Sequence, residues 1–368
     1  MLAPGAATVS TRRMPPPRRN APKGPDPIPG RRRGALLGMA VGNALAVPTA
    51  NRPLMAVSFP KQAEGPYLKL MGGGPHALRK GQVTEEVQLA CCLAHSLRDM
   101  KRYDAADALR RYRAWQPHAF DISEPMKEVL EECQAGPSVL ALTAGKRVWL
   151  RGYRRGVGAG SLARTAPLGV YLAGDAAART QASMEDSALT HYDPRCQLAC
   201  AAFNAALAEA LTQGPELKRE QLLTAAEAGL LRAGAELGRL ASDYVQEVVQ
   251  PSAFLRQDLE LAQKEDPQLY GPELHLHRPQ HAVRVAFRLA FWELMHAPSA
   301  EAALLDVIHR GGDTEAHATI TGALVGAFHG EEALPAEWRK QVLEALATVK
   351  GPLWDVYHPR HLLALAQG

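Results

Sequence analysis

No two of the five cysteines in this 368-residue chain form a C-x-x-C pair. Cys91 and Cys92 are adjacent, and Cys196 and Cys200 lie one helical turn apart. Such spacing builds no zinc ribbon, and an odd count builds no disulfide framework. Buried thiols in a reducing cytoplasm fit better. Alternating runs of β-branched residues are nearly missing, so no sheet is expected. No apolar run reaches transmembrane length. There is no Walker loop and no Ser-His-Asp signature, and Gly156, Gly158 and Gly160 lack the strand that a dinucleotide fingerprint needs. The five tryptophans are scattered and read as packing anchors.

Net charge is also small in the body of the chain. The overall net charge is +4, but residues 1–33 hold eight Lys/Arg against Asp26 alone. Residues 34–368 then carry −3, and nothing in them suggests a nucleic-acid-binding face. The first 33 residues also hold eight of the 27 prolines and few large apolar side chains. A segment of that kind cannot bury enough surface to offset its ordering entropy, so it reads as a disordered basic tail without a secretory apolar core. It is either a solvated extension or an arm for an acidic partner.

What remains is helical periodicity. Helices are expected over Gly34 to Ala46, Val87 to Met100, Asp104 to Trp115, Ser183 to Leu211, Leu222 to Val249, His281 to Met295, Ala300 to Ile308, Ala316 to Phe328 and Ala336 to Ala347. Between them run loops at Pro48 to Arg79, Gly152 to Gly160 and Gly271 to Gln280. No Gly/Ser-rich linker divides residues 34–368, so they read as one compact all-α domain of many helices.

Two helix starts carry acids. Thr84-Glu85-Glu86 follows Gly81, and Asp313-Thr314-Glu315 follows Gly311-Gly312. Each fits an ordinary capped helix, with a capping residue worth about 1 kcal/mol. Apposed, they would also offer the hard oxygen ligands that Mg²⁺ requires. His275, His277 and His281 form a weaker H-x-H-x₃-H cluster that reads as a polar loop.

The order of the motifs resembles the ADP-ribosylglycohydrolase family, which includes dinitrogenase-reductase-activating glycohydrolases. Gly34-Ala35-Leu36-Leu37-Gly38-Met39-Ala40-Val41-Gly42-Asn43-Ala44-Leu45 is similar to its opening G-A-L-L-G-x-A-x-G-D-A-L. Thr84-Glu85-Glu86 sits where the family has T-D-D, and Gly158-Ala159-Gly160-Ser161-Leu162-Ala163-Arg164 resembles G-N-G-x-x-M-R. Ser187-Ala188-Leu189-Thr190-His191 matches S-A-x-T-H. Gly311 to Ala316 looks like G-G-D-A-D-T. The resemblance spans roughly residues 31–340.

It implies a helical fold with Mg²⁺, one ion or two, at the base of a cleft, and hydrolysis at C1″ of ADP-ribose on a modified side chain. By residue, Thr84, Glu85, Glu86, Asp313 and Glu315 would be metal ligands, and Glu85 and Glu86 the acid/base candidates. Gly158, Gly160, Ser161, Arg164 and His191 would line the ADP-ribose cleft. The departures fall on the chemistry: Glu85, Glu86 and Glu315 replace Asp, Asn43 replaces Asp, and Ala316 replaces a ligating Thr. An ~1 Å misplacement in such a site costs on the order of 10²-fold. Three readings follow: a divergent hydrolase, a non-catalytic ADP-ribose binder, or a structural relative of the kind known among eye-lens crystallins.

Overall fold

The computed structural model describes residues 26–52, 67–134, 141–240, 245–264 and 282–367. The residues up to 25 and His275, His277 and His281 lie outside that set. Sixteen α-helices are present among the described residues. The first seven are α1 (Ile28–Ala46), α2 (Glu85–Met100), α3 (Ala105–Trp115), α4 (Glu124–Gln134), α5 (Ala144–Arg151), α6 (Gly160–Arg164) and α7 (Ala166–Tyr171). Next come α8 (Ala176–Thr190), α9 (Pro194–Thr212), α10 (Arg219–Leu240), α11 (Val245–Ala262) and α12 (Val283–His296). The chain continues through α13 (Ala300–Arg310), α14 (Thr314–His329), α15 (Ala336–Glu344) and α16 (Pro352–Asp355). The same residues hold no strand, only isolated bridges at Gly73–Leu78 and Gly158–Ala282. The expected all-α single domain is what the chain forms.

α1 and α14 make the centre. Gly34, Gly38 and Gly42 recur every four residues and so share one helix face. They meet Gly326, Gly322 and Ala318 in reverse order, so the two helices are antiparallel. A Cβ at Gly38 would stand 2.0 Å from the Gly322 carbonyl oxygen, and one at Gly322 would stand 2.1 Å from the Gly38 oxygen. Only glycine permits backbones this close. Both helices are buried almost all round, from Gly34 to Ala46 and from Ala316 to Ala327. This crossing brings the end of α1 beside the start of α14.

Several boundaries differ from the sequence reading. α1 begins at Ile28, not Gly34, so residues 28–33 belong to the fold rather than to a disordered tail. Proline is tolerated in a first helical turn, where no N–H is needed, so Pro29 does not break it. Arg31 is buried and donates to the carbonyls of Ala210 (3.3 Å), Gln213 (2.9 Å) and Gly214 (3.1 Å) at the end of α9. A cation there meets both orphan carbonyls and the negative end of the helix dipole. Arg33 pairs with Glu331.

The Ala-rich stretch expected as one helix breaks between Thr190 and Pro194. Asp193 accepts from Arg195 N at 2.9 Å, and Pro194 opens α9 at its first position. A cap plus a proline outweighs continuous helix propensity. The expected helix from Leu222 to Val249 is likewise two, α10 and α11. Asp104 caps α3 as anticipated, accepting from Asp107 N at 3.0 Å.

Candidate functional site

The acids converge. Glu85 and Glu86 sit in the first turn of α2, and Asp313 and Glu315 at the start of α14. Gly311 and Gly312, at φ 75° and 78°, turn the chain sharply into α14, a conformation glycine adopts without strain. Gly312 exchanges backbone hydrogen bonds with Asn51 (2.8 Å) and Arg52 (3.0 Å), just past α1. Thr314 Oγ1 donates to the Ala46 carbonyl at 3.2 Å. The α14 start is thereby tied to the α1 end.

A fifth acid joins them. Asp121, in the loop before α4, raises the pKa of Glu86 and of Glu315. Burial, then Glu86, pushes Glu85 up to about 8. Burial, then Asp313 and Asp121, pushes Glu86 up to about 7. Glu315 rises to about 9 through burial and then Glu86, Asp121, Asp313 and Glu85. Asp121 itself is raised by burial and Asp313, with His76 at 3.5 Å acting against the rise. Three separate stretches of chain thus crowd their carboxyl groups together, which makes each harder to ionise, and no Lys or Arg is among the leading influences on Glu85, Glu86 or Glu315.

Most of these carboxylates have internal donors. Ser123 donates to Glu85 from its N–H (2.5 Å) and its hydroxyl (2.9 Å). Thr84 occupies the N-cap position of α2, but its hydroxyl does not cap; it donates to Glu86 Oε2 at 2.7 Å. Asn43 takes over instead: its Oδ1 accepts from Thr84 N at 2.7 Å, while Nδ2 donates to Thr84 Oγ1 (2.8 Å) and Glu86 Oε2 (3.1 Å). Glu315 Oε1 is buried with no partner. Among the described residues, no three Asp, Glu, His or Cys side chains are drawn close enough to grip one ion. The four acids among the five expected ligands, Glu85, Glu86, Asp313 and Glu315, are thus electrostatic neighbours, not a closed coordination shell.

Of the second expected group, His191 lines a cavity. A cavity of about 200 Å³ is lined by Glu124, Glu128, Trp149, Gly156, His191 and Tyr192. Ser123, the donor to Glu85, immediately precedes Glu124 in the chain. Gly158 and Gly160 face the His191 ring, where a Cβ would approach to 3.4 and 3.1 Å. Ser161 and Arg164 were expected to line the cleft but lie beneath it, both fully buried. Ser161 bonds Ser187 at 2.9 Å. A desolvated guanidinium needs acceptors. Arg164 finds them in Asp186 Oδ2 (3.0 Å), the Asp186 carbonyl (2.7 Å) and Thr190 Oγ1 (2.8 Å). A roomier cavity of about 260 Å³, beside Val157, Asp258 and Arg288, involves none of the acids.

The chain is similar to known proteins. The sequence pattern described as ADP-ribosylglycohydrolase matches residues 25–365. The chain belongs to the ADP-ribosylglycohydrolase family. Its relatives include the ADP-ribosylarginine hydrolase Tri1 of Pseudomonas putida (strain GB-1), 24% identical over 328 residues, or 85% of this chain and 74% of that one. The ADP-ribosyl-[dinitrogen reductase] glycohydrolase of Rhodospirillum rubrum is 34% identical over 82 residues, 22% of this chain and 27% of the relative. A solved structure named as an ADP-ribosylglycohydrolase-related protein complex superposes with a TM-score of 0.64 at 24% identity, covering 93% of this chain and 98% of the other. That last likeness shows the fold.

In this family member, two residues at the candidate site are not evident from the sequence. Asp121 stands in Asp121-Ile122-Ser123-Glu124, which looks like any helix cap followed by an acid. Asn43 was noticed only as a replacement for Asp, not as the side chain that caps α2. The recurrence of Gly34, Gly38 and Gly42 was the available signal that the end of α1 meets another helix closely.

Proposed function

We propose that this ADP-ribosylglycohydrolase relative binds Mg²⁺ at the acid cluster and hydrolyses the bond at C1″ of ADP-ribose on a modified side chain. The supporting observation is the crowding of Glu85, Glu86, Asp121, Asp313 and Glu315, by which burial and neighbouring acids raise the pKa of Glu85, Glu86, Asp121 and Glu315. Buried carboxylates without a cation are costly, and a hard divalent ion answers them. The donor set fits by chemistry: every candidate is an oxygen, and Glu315 Oε1 is buried and unpartnered. Glu86, Asp313 and Glu315, with Thr84 and Asp121, would hold the ion. When bound, it would supply substrate templating and activation of a water.

The chain's own groups do the rest. Ser123 fixes Glu85 through two donors, which orients this carboxylate as the acid/base group. Glu86 is steered by Asn43 and Thr84. His191 lines the adjoining cavity, whose ~200 Å³ is below the roughly 300–1,000 Å³ of a whole-ligand pocket and suits one portion of ADP-ribose.

A second reading, ADP-ribose binding without turnover, is favoured by Ala316, which offers no ligand, and by Thr84, whose hydroxyl is occupied by Asn43 and Glu86. One set of measurements separates the two. Calorimetry with Mg²⁺ and release of ADP-ribose from a modified arginine peptide are compared between the native chain and Asp121→Asn. Millimolar or tighter Mg²⁺ binding with release, both weakened about tenfold or more in Asp121→Asn, supports hydrolysis. ADP-ribose binding without release supports the second reading. Neither Mg²⁺ nor ADP-ribose binding removes both.

A further inference from the structure

His191 is a neighbour of the cleft whose two ring nitrogens have different surroundings. Its Nδ1 lies 2.9 Å from Thr190 Oγ1. That hydroxyl oxygen already accepts from Arg164 Nη1 at 2.8 Å. Arg164 can only donate. Two other hydroxyls of α8 return their proton to the carbonyl four residues back: Thr180 to Ala176 and Ser183 to Arg179. Thr190 has no such bond: the carbonyl at that position, Asp186 O, accepts from Arg164 Nη2 instead.

The Thr190 proton therefore has one acceptor, His191 Nδ1. The opposite arrangement, Nδ1–H donating to Thr190, would leave a buried hydroxyl proton unmet, which costs more than a normal hydrogen bond gains. With Nδ1 accepting, the ring proton must reside on Nε2. That nitrogen makes no hydrogen bond to the described residues, and it faces the Gly158–Gly160 loop, where the missing side chains leave the backbone bare. The ring itself lies on the wall of the ~200 Å³ cavity although the residue is 5% exposed.

We propose that Arg164 and Thr190 are positioning residues that lock His191 as a neutral Nε2–H donor, so that this part of the cleft takes an oxygen acceptor of the ligand. The relay is anchored from below. Asp186 holds Arg164 at 3.0 Å and accepts from Tyr112 Oη at 2.7 Å, and the guanidinium lies 4.8 Å over the Tyr112 ring. None of Arg164, Asp186 or Tyr112 is solvent-exposed. Burial, and then the Arg164 charge, disfavours a second proton on His191. The donor therefore stays uncharged across neutral pH. A phosphate, carbonyl or hydroxyl oxygen would fit it; a ligand cation would not. The identity of that ligand as ADP-ribose rests on the proposed function, whereas the tautomer does not.

Thr190 is the residue to change, because Arg164 variants would break the buried Asp186 pair and endanger folding. The test compares the native protein with Thr190→Val and Thr190→Ser. Nitrogen-15 NMR of the histidine ring reads the tautomer at pH 7, and calorimetry reads ADP-ribose affinity. The expected spectrum has a bare Nδ1 and a protonated Nε2 in the native chain and in Thr190→Ser, and a tautomer mixture in Thr190→Val. The expected affinity loss is about five- to tenfold for Thr190→Val, with recovery in Thr190→Ser. A protonated Nδ1 or a doubly protonated ring in the native chain overturns the proposal, as does an unchanged tautomer in Thr190→Val. A locked tautomer without any ADP-ribose binding upholds the relay and removes the ADP-ribose reading alone.

Discussion

Asn43 and Thr84 lock together through both ends of the amide: Thr84 N donates to Asn43 Oδ1 at 2.7 Å, and Asn43 Nδ2 donates to Thr84 Oγ1 at 2.8 Å. An aspartate at position 43 could accept from Thr84 N but could donate nothing to Thr84 or Glu86. It would also add a negative charge beside Glu86. Asn43→Asp should therefore lower stability in chelator by roughly 1–3 kcal/mol, the cost of a lost buried hydrogen bond. It should tighten Mg²⁺ binding by about tenfold, since the added carboxylate faces the same acids. Thermal melts with and without Mg²⁺ and calorimetry check both halves. Unchanged Mg²⁺ affinity would show that position 43 does not contribute to the cation site.

The pH dependence of the acid cluster has a definite sign. Glu315 is raised to about 9 in the fold, by burial first, from an ordinary value of 4.5. The folded state then binds this proton more tightly than the unfolded chain does. Its contribution to stability is full below about 4.5 and is lost as pH rises toward 9. Glu315→Gln stays neutral throughout. In chelator, the variant should gain on the native protein between pH 5 and pH 9, by at least about 1 kcal/mol. Denaturant melts at the two pH values measure it. Millimolar Mg²⁺ should shrink the advantage, because a bound cation favours the charged carboxylate. A pH-independent difference would mean that Glu315 is not shielded as described.

Gly38 and Gly30 lie on the same helix with opposite prospects. A methyl at Gly38 meets the Gly322 carbonyl at 2.0 Å, and both partners are backbone that cannot step aside. Gly38→Ala should cost more than about 3 kcal/mol or prevent soluble expression. At Gly30 nothing lies within 4 Å, so alanine should be neutral or stabilise by up to about 1 kcal/mol. Equal melting temperatures for the two variants would contradict the close crossing.

The sequence was most readable where structure is local. Thr84-Glu85-Glu86 and Asp313-Thr314-Glu315 are helix starts, and helix starts are written in consecutive residues. The break at Asp193-Pro194 was written there too, but the alanine content around it masked a cap-and-proline signal. Asp121 was illegible for a different reason. Its significance comes from Glu86 and Glu315, which the fold brings near and the sequence does not. The donors of Arg31 reach α9 across about 180 residues, so a run of prolines and arginines read as tail until its acceptors were seen. The short helices α5 to α7 lack enough turns for periodicity to show.

The glycine face of α1 also sets an order of events. Gly38 meets Gly322 across about 280 intervening residues. In a chain made from its N-terminus, one of the first helices must wait for one of the last. Until α14 emerges, the glycine face of α1 lacks the backbone it packs against. Closing so long a loop is slow, and the waiting surface is of the kind that holdase chaperones recognise. Synthesis halted before Ile320 would thus leave an incomplete α1–α14 crossing, however much of the remaining helical layer had already packed.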